Sequence, residues 1–382
     1  MRAPVQSDTS RSTQSKRSIG TLYANQSPTS KSNCSSSGLT RAMSDVGVDV
    51  DTGDLNTPPV TIVGFSDFVA SQPGVLEEQD KVDTSPLAGK RPPSTHGNKG
   101  SGVNKVSRDE MWQVITTTTK AAIGILHKTE LEGTKFAYLA NIFNAPVLGL
   151  KAPNLREYPN LTTVVRVEAG DTYDQALKIH NAGSTIDLMP VCVLSFANGE
   201  MPGGGWLNGA RAQEEQLCYR STLVYTLHPR FYPMQDHECV YSPNVIIFRD
   251  SADTGYSFMS ADDKLHMNPT VSVVSMAARS RPQLTADQST YKDVAQRYLM
   301  KAKMQLILRT AAHNNHRRLV LGALGCGAFR HPPQEVADCW KEVLMDGEFS
   351  GWFELIHFAI RDSNAENNLA IFTETLDGLN MG

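Results

Sequence analysis

The chain has 382 residues, 40% of them hydrophobic and 20% charged, with a formal net charge of −4, which is enough apolar material for one or two domains with a buried core. So small a net charge gives no argument for the clustered basic surface that sequence-independent DNA binding needs, so no direct DNA binding is expected. No apolar run reaches the length of a membrane span or forms the core of a secretory signal, so no membrane association is expected either.

Residues 1–105 are crowded with Ser, Thr, Pro, Gly and scattered charges. Their apolar residues follow neither a helical nor a strand period, so they cannot offset backbone entropy by burial, and the region reads as disordered. Val60 to Phe68 is its one short apolar patch. Its Arg and Ser with little acid give it a faint transit-peptide character. The six cysteines, Cys34, Cys192, Cys218, Cys239, Cys326 and Cys339, lack metal-ligand spacing and read as reduced, intracellular thiols. Cytoplasm and nucleus both stay open.

The folded part is expected over 106–382. Met111, Trp112, Ile115, Ala122, Ile123 and Leu126 predict an amphipathic N-terminal accessory helix over 108–127. From residue 162 strands and helices alternate: TTVVRVEA, then a helix in DTYDQALKIHNAG, then PVCVLSF, a glycine loop and a helix over 213–227. NVIIFRD, VSVVSM, a helix over 291–313, RRLVLGAL, a helix after Pro332 and FELIHFAI follow. This alternation predicts one α/β domain, a mixed sheet covered by helices on both faces, with VCVLSF and LVLGAL as central buried strands.

Gly203, Gly204 and Gly205 follow a strand, where ligands of open α/β sheets sit. Glycines there can turn successive amides onto an anion, although three alone equally suit a solvent loop. Gln213, Glu214 and Glu215 open the next helix, where acids also complement the helix dipole. Adjacent helix positions point about 100° apart, so the two acids are not expected to work as an opposed pair. Gly322, Gly325 and Gly327 end a second strand before Pro332 and Pro333, which suits a tight turn or a phosphate-binding helix start. It is neither a Walker loop nor a dinucleotide fingerprint, because Arg330 stands where a third glycine would fall. Two such loops on neighbouring strands could grip a diphosphate from both sides. Asp171 reads first as a helix N-cap and second as an acceptor for an adenine amino group. Phe329 is either core or a pocket ring. His228, His316 and His331 have no partners at ligand spacing and read as surface or core residues.

FANGEMPGGGWLNGARAQEE (196–215) and LGALGCGAFRHPP (321–333) together resemble the bacterial-type (microbial) poly(ADP-ribose) glycohydrolases, over roughly residues 110–382. The resemblance implies a macrodomain-like fold and exo-hydrolysis of the ribose–ribose bond at the end of poly(ADP-ribose), with no cofactor and no metal. It implies that Glu215 is the catalytic acid and that Glu214 holds ribose hydroxyls. Gly203 to Gly205, Asn208 and Gln213 would form one side of the substrate site. Gly325, Cys326, Gly327, Ala328 and Phe329 would form the other, with Phe329 orienting the terminal ribose and Asp171 near the adenine. Trp206 stands where such enzymes carry a different apolar residue, so the pocket mouth is expected to differ. The substrate would be poly(ADP-ribose) or ADP-ribosylated protein, handled by a monomer. Two other readings keep the same loops: an ADP-ribose reader without turnover, and a hydrolase of single ADP-ribose units on proteins.

Overall fold

The computed structural model describes residues 106–129, 137–148, 160–183, 189–362 and 367–381, all within the unit Thr95–Gly382. Cys34, the Val60 to Phe68 patch and the reading of 1–105 as disordered lie outside the described residues. Seven described strands form one sheet: β1 Tyr138–Ala140, β2 Val164–Ala169, β3 Cys192–Phe196, β4 Cys239–Ile246, β5 Thr270–Met276, β6 Arg318–Leu321 and β7 Leu355–Ile360. Their order is β1-β4-β5-β3-β6-β7-β2. The five strands from β5 to β2 run parallel, and β4 and β1 add an antiparallel edge. As expected from their unbroken apolar runs, β3 and β6 lie at the centre.

Six described α-helices accompany them: α1 Arg108–Thr129, α2 Thr172–Ala182, α3 Gln213–Arg220, α4 Val294–His313, α5 Pro333–Leu344 and α6 Asn368–Leu376. Both faces are buried along β3, β5, β6 and β7, which explains their lack of polar alternation, whereas the edge strand β2 alternates buried and exposed residues. Cys192 and Leu194, Leu319 and Leu321, Ile356 and Phe358 pack with α4, α5 and α6 in one apolar core. The intervening Val193, Val273 and Val320 are equally buried on the other face, where α2 and α3 pack on β3.

Several boundaries differ from the expectation. The helix predicted over 213–227 ends at Arg220, because Ser221 turns extended and bridges Ile247, while the Arg220 carbonyl accepts the Phe248 and Arg249 amides. The strand expected at 244–250 begins at Cys239 and carries a register shift between Ser242 and Val245, with Asn244 at φ 55°. The helix expected from Tyr291 starts at Val294, capped by Asp293. β1 and α6 were not expected at all; three residues are too few to show a period. In α1 the buried stripe is Met111, Val114, Ile115, Thr118, Ala122 and Ile125. Trp112 is 50% exposed, on the opposite side from its expected place.

Candidate active site

A cavity of about 570 Å³ opens at the carboxyl ends of the parallel strands. Each of the five contributes a residue at or just beyond its last position: Ala278 after β5, Phe196 of β3, Ala323 after β6, Ile360 of β7 and Gly170 after β2. The two glycine loops leave the neighbouring parallel strands β3 and β6, so they flank the same crevice. This is where an open parallel sheet offers exposed backbone and helix N-termini to a ligand.

The first loop is built around α3. Of its eight residues, QEEQLCYR, all but Gln213 are buried, although six of the eight are polar or charged. Gln213 ties the helix to the end of β3: its Oε1 accepts the Phe196 amide at 2.8 Å, and its Nε2 donates to the Leu194 carbonyl at 2.8 Å. Tyr219 donates to the carbonyls of Trp206 and Ala210, which pins the loop from behind. Gly203 and Gly204 sit at φ 70° and 56°, the left-handed region that glycine enters freely. A Cβ on Gly204 would lie 2.6 Å from Oε1 of Glu215 and 2.9 Å from Oε2 of Glu214. The two carboxyl groups, 100° apart on an ideal helix, therefore bend onto the same glycine.

Each carboxyl group is held by backbone on one oxygen. Glu215 Oε1 accepts the Gly205 amide at 2.9 Å and Glu214 Oε2 accepts the Asn198 amide at 2.7 Å. Their other oxygens, Glu215 Oε2 and Glu214 Oε1, are buried without a partner among the described residues. Burial pushes the Glu214 carboxyl up to about 8, with the adjacent Glu215 adding to the rise and the Asn198 and Gly203 amides opposing it. Glu214 is therefore neutral at pH 7, which relieves like-charge repulsion in the pair.

The second loop presents open amides. Those of Leu324, Cys326, Arg330 and His331 are spent on turn carbonyls, whereas those of Gly325, Gly327, Ala328 and Phe329 have no acceptor among the described residues. A run of free amides at a strand end is a ready site for an anion. Gly325, at φ 82°, leaves room for the His331 ring, which a Cβ would meet at 2.6 Å. Phe329 is half-buried and lines the cavity, which joins its two expected roles.

Asp171 caps α2, accepting the Tyr173 and Asp174 amides on Oδ1. The same oxygen is paired with Arg220, whose other arm holds Asp174 at 2.6 Å and whose Nε donates to the Arg249 carbonyl. Arg220 is fully buried and fixes the base of α3 to the start of α2. It was missed in the sequence, because its partners lie 49 and 46 residues away.

Asp171, Gln213, Gly325, Gly327, Ala328 and Phe329 line the cavity; Gly203, Gly204, Gly205, Asn208, Glu214, Glu215 and Cys326 do not. Glu214 and Glu215 follow the cavity-lining Gln213 in α3 and are 2% and 7% exposed. Asn208 is exposed in the turn Trp206–Asn208. Cys326 turns into the apolar core. Trp206 is also buried, packed on Tyr219 with ring centroids 6.4 Å apart, so it shapes no pocket mouth. His316 and His331 are buried, hydrogen-bonded core residues, and His228 caps a short turn, as expected. Among the described residues no His, Cys, Asp and Glu group could hold a metal ion, and no helix is long and apolar enough to cross a membrane. The five described cysteines are buried and form no disulfide.

The family model of the microbial-type PARG catalytic domain matches residues 106–250, the stretch that contains α1, the triple glycine and both glutamates. Over that stretch the chain is similar to the microbial-type PARG catalytic domain. The match ends before the second glycine loop, and solved structures extend the likeness. The poly(ADP-ribose) glycohydrolase (PARG) of Thermomonospora curvata is 26% identical, covering 70% of this chain and 100% of its own, with a TM-score of 0.58. The same enzyme bound to the inhibitor ADP-HPD is 25% identical, covering 70% and 99%, at 0.56. A Deinococcus radiodurans PARG in complex with ADP-ribose is 27% identical, covering 63% and 94%, at 0.50. No curated protein matches the sequence.

Proposed function

We propose that the protein hydrolyses the ribose–ribose O-glycosidic bond of poly(ADP-ribose), mainly from the chain end, releasing ADP-ribose. The observation that carries this reading is the pair Glu214 and Glu215, buried on α3 and each held by a backbone amide of the β3 loop. An ADP-ribose reader needs no such pair. In the proposed cycle, protonated Glu215 donates its proton to the departing ribose 2′-oxygen as the glycosidic C–O bond breaks. The sugar passes through an oxocarbenium-like state. Glu215, now ionised, takes a proton from the water that adds to the anomeric carbon, which restores the acid and yields ADP-ribose and a polymer one unit shorter.

Neutral Glu214 supplies an O–H to a ribose hydroxyl and keeps a second negative charge away from Glu215. The open amides of Gly325 and Gly327 to Phe329 receive the diphosphate, whose charge supports the cationic sugar. Phe329 packs beside the terminal ribose, and Asp171 lies at the adenine end. One carboxyl group then serves as acid and base in turn, where most glycosidases divide the work between two.

The test is turnover on purified protein. Wild type is expected to release ADP-ribose from polymer, whereas Glu215→Gln loses at least about a hundredfold in rate and still binds ADP-ribose. Equal rates in the two proteins would remove Glu215 from the mechanism. Release of longer oligomers at early times would overturn the chain-end preference, and faster release from mono-modified protein than from polymer would reassign the substrate.

A further inference from the structure

We propose that Arg281 and Arg330 form an exit track beside the cavity, which binds the phosphates of the polymer beyond the bond being cut. The inference rests on the polymer being the substrate. A cavity of about 570 Å³ is of the size that encloses one small-molecule ligand, so any further units must lie outside it. Two negative charges accompany each unit, and a cationic surface is suited to hold them.

The two arginines come from different strand ends and meet at the rim. Ala278, after β5, and Phe329, after β6, both line the cavity, and Arg281 and Arg330 follow them within three residues and one. The Arg281 amide donates to the Phe329 carbonyl at 2.9 Å, and that carbonyl belongs to the peptide bond leading into Arg330. The segment is bolted down once more: His331 Nε2 donates to the Arg279 carbonyl at 2.6 Å, and Tyr291 holds His331 Nδ1 at 2.7 Å. Arg279 itself is paired with Asp236. Arg281 and Arg330 are exposed, and no carboxylate pairs with either among the described residues.

Both residues also sit in the left-handed region, at φ 50° and 59°. That conformation is strained for a non-glycine residue, and glycine would adopt it freely. A strained backbone that carries a long cation, twice and side by side at a cavity rim, has the character of a functional position. Guanidinium is the group whose planar fork matches a phosphate. Phe329, between the cavity and Arg330, is the ring assigned to the terminal ribose, so the track lies where the departing chain must emerge.

The substitutions that suit this backbone are Arg281→Gly and Arg330→Gly, which remove the cations and relax the φ angles. They are made together in Glu215→Gln protein, so that polymer stays intact, and binding of long poly(ADP-ribose) and of free ADP-ribose is measured at 50 and 200 mM salt. Polymer affinity is expected to fall about tenfold at the lower salt, with a shallower salt dependence, while ADP-ribose affinity stays within twofold. Arg281→Lys with Arg330→Lys is expected to restore part of the polymer affinity. Polymer affinity within twofold of the parent would overturn the track, as would an equal fall for polymer and ADP-ribose. Absence of turnover by wild type would sink the proposed hydrolysis instead, and the binding comparison would still judge the arginines.

Discussion

Gly204 has to be glycine for two separate reasons, and each predicts a cost. Its φ of 56° strains any side chain, and a Cβ would press on Glu215 at 2.6 Å and Glu214 at 2.9 Å. Displacing a catalytic group by an ångström is worth about a hundredfold in rate. Gly204→Ala is therefore expected to lower kcat on polymer by at least about that factor, with only a modest fall in Tm. A kcat within threefold of wild type would show that this glycine does not set the carboxyl groups. Glu214 makes a prediction about pH. Its folded pKa of about 8 lies above its unfolded value near 4.5, so between those limits the native state holds the extra proton. Its contribution to stability is full below pH 4.5 and is lost as pH rises through 8. Glu214→Gln cannot titrate, so the difference in Tm between the variant and wild type should widen in the variant's favour from pH 5 to 8.5. Parallel Tm profiles would refute the buried, neutral Glu214.

At the scale of elements, α3 explains both what the sequence disclosed and what it hid. Its glutamates were legible because the triple glycine and QEE stand within twelve residues of each other, a local pattern. Its burial was not legible: QEEQLCYR has the composition of a surface helix, and no hydrophobic period betrays that seven of its residues are enclosed. What makes the enclosure tolerable is satisfaction of its polar groups by distant backbone and charge, above all at Arg220. The guanidinium reaches Asp171 and Asp174 of α2 and the Arg249 carbonyl. Removing the buried Arg220 leaves Asp171 and Asp174, 11% and 41% exposed, without their charged partner, at about 1.5 to 3 kcal/mol. Arg220→Met, which keeps much of the volume, is expected to destabilise the protein by that amount in urea unfolding, and to weaken ADP-ribose binding because Asp171 loses its clamp. A loss below about 1 kcal/mol would mean that the cluster is solvated and the α2–α3 junction is held by packing alone. Asp171 shows the same limit: its cap was readable from its place before α2, its ion pair was not.

At the scale of the molecule, alternating strands and helices sufficed to predict a mixed sheet covered on both faces, because near-continuous apolar strands fit only that arrangement. The arrangement in turn put both glycine loops at the carboxyl ends of neighbouring central strands. The contribution of α1 could not be read, since its links to the site are long-range. Val106 lines the cavity and its carbonyl accepts from Arg211. Met111 packs at Gly209 just ahead of α3, Thr118 donates to the Tyr219 carbonyl, and Thr117 accepts from Arg249. Ser107 and Glu110 exchange hydrogen bonds as a capping box that starts the helix at this point. These contacts make a sharp boundary. A chain beginning at residue 100 keeps all of them and is expected to match the full chain in Tm within about 2 °C and in ADP-ribose affinity within about twofold, as calorimetry would measure. A chain beginning at residue 112 loses the capping box, Val106 and Met111 together. It should melt several degrees lower and bind ADP-ribose more weakly, because one wall of the cavity and the support beneath Gly209 are gone. Equal behaviour of the two shortened chains would show that α1 only decorates the sheet. A large defect in the longer one would show that residues before 100 belong to the folded unit.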